Sequence, residues 1–107
     1  CVPVFENVKA GLCGPAVRPI ALRMVWDVVK AVRELPEGER VPVIALGGIE
    51  DWKDAVQFIM AGASAVQVGS ATFANPKAMV EIVEGLRDFM ASHGYGKIDD
   101  FRGIALK

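Results

Sequence analysis

The chain has 107 residues, 52% hydrophobic, 7% aromatic and 23% charged, and its 12 Lys+Arg against 13 Asp+Glu leave a formal net charge of −1. That length holds at most one small domain, and the interspersed, nearly balanced charge leaves no basic footprint for nucleic acid or for an anionic membrane. The two cysteines, Cys1 and Cys13, have no CxxC partner and lie far from the single His93, which excludes a zinc site or a disulfide scaffold and points to a reducing compartment, taken as the cytoplasm.

From Ala16 the apolar residues fall at Ala16, Val17, Ile20, Ala21, Met24, Val25, Val28, Val29 and Val32, a repeating stripe that predicts an amphipathic helix. Pro19 lacks an N–H and cannot sit deep in a helix, so the regular turns start near Arg18–Pro19 and leave Gly14–Pro15 in the loop ahead. The helix ends near Glu34–Leu35, where Pro36 and Gly38 among charged residues form a polar loop. Val41 to Leu46 is a continuous apolar run closed by Gly47–Gly48, the pattern of a strand buried on both faces, with Pro42 tolerable only near its start.

A second helix is expected from about Asp51 to Ala61, with Trp52, Ala55, Val56 and Ile59 inward and Gly62 as its left-handed terminator. Ser64 to Val68 reads as a short strand stopped by Gly69–Ser70, and Ala71 to Asn75 can add a helical turn. Asn75–Pro76 resembles a helix N-cap, and Met79, Ile82, Val83, Leu86, Phe89 and Met90 supply the apolar face of a third main helix running to about Ser92. Gly94 and Gly96 end it, and Ile98 to Arg102 is one more short helical candidate. No apolar run reaches the ~20 residues of a membrane-spanning helix.

Strands alternating with helices call for a parallel α/β sheet with right-handed crossovers. Two strands alone supply neither that sheet nor cover for its edges. Glycines stand at the C-terminal ends of both strands, Gly47–Gly48 and Gly69–Ser70. In a parallel α/β barrel this end carries the ligand: glycine amides approach a phosphate without an intervening Cβ, and the positive end of the following helix adds to the attraction. The plainer reading is that these glycines merely terminate strands. Cys13 has no nearby His or carboxylate to activate it and reads as packing. His93 suits a helix C-terminus, Trp26 and Trp52 suit packing, and Asp99–Asp100 suits a helix start.

The stretch from Asn7 to Met24, N-V-K-A-G-L-C-G-P-A-V-R-P-I-A-L-R-M, resembles the G-L-S-G-P-A-I-K/R-P-I-A-L-R motif of the dihydroorotate dehydrogenases, in particular the class 1B catalytic subunit. P-V-I-A-L-G-G-I and A-G-A-S-A-V-Q-V-G-S-A are similar to the last two barrel strands of that family. Dihydropyrimidine dehydrogenase-like enzymes share a close version of the first motif. The resemblance implies the C-terminal part of a (β/α)8 TIM barrel, about two strands and three main helices, with residues 1–107 part of one flavin-binding domain. It implies FMN as cofactor, held by Gly14, Gly47, Gly48, Gly69 and Ser70, with Gly11 and Cys13 supporting the first loop.

The activity implied is oxidation of dihydroorotate to orotate in pyrimidine biosynthesis, with a partner subunit carrying FAD and an iron–sulfur cluster. The chain departs from the motif at Ala10 and Cys13, where the family usually has Gly and Ser. The family's catalytic base, its flavin-contacting lysine and its pyrimidine-holding asparagines fall ahead of this segment, so no catalytic residue is assigned here. A typical barrel has ~250 residues; with the non-Met start, the expectation is a piece of a longer enzyme, inactive alone. As a non-catalytic phosphate-binding piece it would cover its open sheet edges by forming a homo-oligomer. A sugar-phosphate barrel shares the strand-end glycines but leaves G-P-A-V-R-P-I-A-L-R unexplained.

Overall fold

The computed structural model describes residues 12, 14–69 and 71–106. A 3-10 turn at Pro15–Val17 leads directly into α1 (Arg18–Arg33), with Pro19 in its first turn, where no helical N–H is missed. The chain continues through β1 (Ile44–Leu46), α2 (Trp52–Met60), β2 (Ala65–Gln67), α3 (Ala71–Ala74) and α4 (Ala78–His93). Two further 3-10 turns, Ile98–Asp100 and Ile104–Leu106, close the described chain. β1 and β2 pair in parallel with Ile44 opposite Ala65 and Leu46 opposite Gln67, so α2 is a crossover between neighbouring strands. This is the expected alternation of three main helices with two parallel strands.

The core lies on one face of that small sheet. Ala45 is buried between the strands and the helices, joined by Val25 and Val29 from α1, Ala55 and Phe58 from α2, and Ile82 from α4. A second cluster packs Val56 and Ile59 against Phe101, with Phe89 and Tyr95 around it. α2 and α4 approach closely because Gly85 presents no side chain to Trp52; a Cβ there would collide with the indole. Gly62 takes φ 112 after α2 and gives way to Val29 in the same manner.

Several expectations need correction. The run from Val41 to Leu46 is a strand only over its last three residues, since Pro42 cannot donate to a ladder. Double-sided burial is not observed: Ile44 and Leu46 are 54% and 59% exposed, because the helices cover only the Ala45 face. The apolar stripe of α1 is likewise divided. Val25 and Val29 are buried, whereas Met24 and Val28 are exposed and join Ile44 and Leu46 around an apolar groove of about 410 Å3. In α4 the inward row is Ala78, Ile82, Leu86 and Phe89, while Met79 and Val83 face out.

Asn75 is not the N-cap of α4. Its side-chain oxygen accepts from Lys77 N–H at 3.1 Å and its amide donates to Glu81, a local turn that delays the helix until Ala78. Gly94 ends α4 with φ 74 and ψ 19 as expected, and His93 Nδ1 lies 3.0 Å from Phe89 O in the last turn. Asp100 accepts from Gly96 N–H and Lys97 N–H, capping its own 3-10 turn. Among the described residues, no helix is long and apolar enough to cross a membrane, and no group of three or more His, Cys, Asp or Glu could hold a metal.

Candidate functional site

Four of the five glycine-loop residues singled out by sequence meet at one place. Gly14, Gly47, Gly48 and Gly69, with Leu46, Ile49, Gln67 and Val68 between them, line a cleft of about 210 Å3 at the C-terminal ends of β1 and β2. The fifth, Ser70, lies outside the described residues, as do Gly11 and Cys13. Parallel pairing makes the convergence: strands in register end together, so the glycines that follow them are neighbours despite the intervening helix.

The glycines differ in what they do. Gly48 has φ 74, and a Cβ on it would lie 2.7 Å from Arg18 Cβ, 2.8 Å from Gly14 O and 2.9 Å from Arg18 N. Its bare backbone therefore lets the loop after β1 press against the loop leading into α1. A Cβ on Gly69, by contrast, would meet nothing within 4 Å, and Gly69 is exposed. Among the described residues the space in front of it is open, which is what a ligand-facing backbone needs.

The polar groups on offer are backbone amides. Among the described turn and loop hydrogen bonds, none uses the N–H of Gly47, Gly48 or Gly69 as donor, whereas Gly69 O accepts from Thr72 N at 3.0 Å and turns the chain into α3. Among the described residues, those amides have no acceptor in these turns and loops and suit an anion. The side chains of the lining residues carry no titratable group. At ~300–1,000 Å3 for complete small-molecule pockets, a 210 Å3 cleft has room for a phosphate and adjoining chain atoms, not for a whole dinucleotide or flavin.

One part of the electrostatic expectation is corrected. The N-terminus of α2, which follows Gly47–Gly48, is already occupied by its own carboxylates: Asp51 Oδ1 accepts from Asp54 N, and Asp54 Oδ2 accepts from Glu50 N, both at 3.0 Å. The cap and the two carboxylates beside it weaken the pull of that helix end on a bound anion. Sequence reasoning also missed the ion pair beside the cleft, where Arg18 Nη1 lies 2.8 Å from Asp54 Oδ1. Asp54 is the buried charged residue of the described core, at 5% exposure. Its only sequence signal was a second Asp three positions after the Asp51 cap, and nothing in the linear order joined it to Arg18.

The family profile described as dihydroorotate dehydrogenase matches residues 2–90. The dihydroorotate dehydrogenase B (NAD(+)) catalytic subunit of Petrotoga mobilis is 50% identical over 101 residues, covering 94% of this chain and 31% of the relative. The same subunit from Phocaeicola vulgatus is 48% identical with the same coverage. The crystal structure of ligand-free DHODH from Eimeria tenella superposes with a TM-score of 0.80 at 27% identity, over 96% of this chain and 28% of that one. Its complex with ferulenol gives a TM-score of 0.77 at 26% identity. The chain thus spans about 31% of the length of these curated relatives.

Proposed function

The chain belongs to the dihydroorotate dehydrogenase family, and from that premise we propose that it builds the cofactor-phosphate corner of a flavin-dependent barrel that oxidises dihydroorotate to orotate in pyrimidine biosynthesis. The observation that carries this reading is the convergence of Gly14, Gly47, Gly48 and Gly69 on one cleft at the C-terminal ends of the paired strands. Residues 1–107 then form part of one flavin-binding domain.

The cleft fits the phosphate end of FMN on two counts. Its donors are backbone N–H groups, which suit an anion and leave no Cβ in the way, and its volume matches that end of the molecule alone. When bound, FMN supplies the hydride acceptor for the oxidation. Gly47, Gly48 and Gly69 would hold its phosphate, Gly14 would close the wall behind Gly48, and Ser70 adds a hydroxyl by resemblance to the family. Leu46, Ile49 and Val68 would exclude water from the adjoining chain. None of these side chains can take a proton, so the residues of this cleft orient the cofactor, and proton abstraction falls to residues elsewhere in the enzyme.

The relatives are named as the catalytic subunit of an NAD(+)-linked enzyme, which supports a second subunit relaying electrons; by family resemblance that subunit carries FAD and an iron–sulfur cluster. The same reading carries a cytoplasmic location. A second reading, a non-catalytic piece that self-associates, is favoured by the uncovered apolar face formed by Ile44, Leu46, Met24 and Val28. The full-length protein distinguishes the two. It is expected to purify with a non-covalent flavin, released by heat and identified as FMN by mass, and to reduce a dye when given dihydroorotate. A protein free of flavin, or one active only on uracil-type dihydropyrimidines, contradicts the proposal.

A further inference from the structure

Resting on the FMN-phosphate reading of the cleft, we propose that Asp54 is a positioning residue that sets the separation of the two glycine walls through its pair with Arg18. One carboxylate reaches both walls. Asp54 Oδ2 accepts from Glu50 N–H at 3.0 Å, which anchors the loop after Gly47–Gly48. Its Oδ1 lies 2.8 Å from Arg18 Nη1, at the point where the Gly14 loop becomes α1.

The walls touch where Gly48 abuts the Gly14 carbonyl and the backbone of Arg18, with no room for a Cβ between them. Glycine has the widest conformational freedom of any residue, so the approach gains from a tie outside the loops themselves. The staple is supplied from below by a side chain that is 5% exposed, on the rigid first turn of α2. Asp54 does not line the cleft, so its effect on a ligand passes through the loops it ties together.

Electrostatics and positioning make opposite predictions for this residue. Asp54 is a negative charge close to an anion site, and removing it should tighten phosphate binding if Coulomb repulsion dominates. Loss of the staple should weaken it, since loop amides displaced by a fraction of an ångström no longer converge. The substitution Asp54→Asn keeps the shape and an oxygen acceptor for Glu50 N–H while removing the charge that pairs with Arg18.

The experiment is a fluorescence titration of the full-length apoprotein with FMN and, separately, with riboflavin, which lacks the phosphate. Asp54→Asn is expected to raise the Kd for FMN by about tenfold or more while changing that for riboflavin less than about threefold. Arg18→Met should do the same from the other side of the pair, and Arg18→Lys, which retains the charge, should hold FMN within about threefold of the unmodified protein. An FMN affinity that is unchanged or tighter in Asp54→Asn overturns the proposal, as does an equal weakening of both ligands. If Asp54→Asn does not fold, Asp54→Glu, which keeps the charge and moves the carboxylate by one methylene, decides by the same criteria. Failure of the unmodified protein to prefer FMN over riboflavin refutes the phosphate reading itself, a result separate from any effect of Asp54.

Discussion

In the full-length protein, Gly48→Ala is expected to destabilise the fold by about 2–5 kcal/mol and to strip the yellow flavin spectrum. The backbone at φ 74 strains any L side chain, and the new methyl would press on Arg18 Cβ, Arg18 N and Gly14 O at 2.7–2.9 Å. Two of those three atoms are backbone, so relief requires moving the Gly14 loop or the start of α1. Loss of flavin at this position thus combines damage to the wall with damage to the site.

Gly69→Val separates the two. Its side chain would enter open space on the protein side, so the melting temperature of the flavin-free protein is expected to stay within about 2 °C of the unmodified value, since a surface change of that kind stays within ±0.5 kcal/mol. FMN occupancy is nevertheless expected to fall sharply, because the branched side chain fills the space assigned to the phosphate. Thermal melts and flavin absorbance on the two variants check this. Full flavin occupancy in Gly69→Val would remove Gly69 from the site.

The 107-residue chain produced by itself is expected to show no dihydroorotate-dependent dye reduction. The cleft that would hold the cofactor phosphate is bordered by side chains without a titratable group, so it offers no base for the proton that must leave as hydride leaves. Its volume accommodates one end of FMN, which leaves the isoalloxazine ring outside this cleft. Ile44 and Leu46, more than half exposed, lie on the face of β1 that a closed barrel fills with side chains from other strands. With that face bare, the isolated chain is expected to elute as an associated species in size-exclusion chromatography. Turnover above the rate without protein would show that a complete active site lies within these residues.

The elements were legible where local chemistry decides them. Pro19 marked the first turn of α1, Gly62 and Gly94 marked helix ends by their positive φ, and the β-branched runs before paired glycines marked the strands. What failed depends on neighbours that a linear reading does not contain. Double-sided burial of the first strand assumed a sheet with both faces covered, whereas the helices cover the Ala45 face alone. Met79 and Val83 were apolar at helical spacing, yet the inward row of α4 is set by the position of α2, which selects Ala78 and Ile82. Asn75 had the residue type of a cap and used it on Lys77 N–H instead.

The site follows the same division. Glycines after successive parallel strands were enough to bring Gly47, Gly48 and Gly69 to one cleft, because register in a parallel pair fixes where strand ends lie, while Gly14 joins them from the turn into α1. The Arg18–Asp54 pair was not legible: its partners are distant in sequence, and their pairing follows from the packing of α1 beside α2. The different duties of Gly48 and Gly69 were also hidden, since one faces protein and the other open space while both read alike in sequence.

The decisive measurement is a structure of the full-length protein with FMN bound. Phosphate oxygens are expected within about 2.7–3.2 Å of amide nitrogens from both glycine loops, Gly47–Gly48 and Gly69. A flavin whose phosphate reaches neither loop contradicts the phosphate reading.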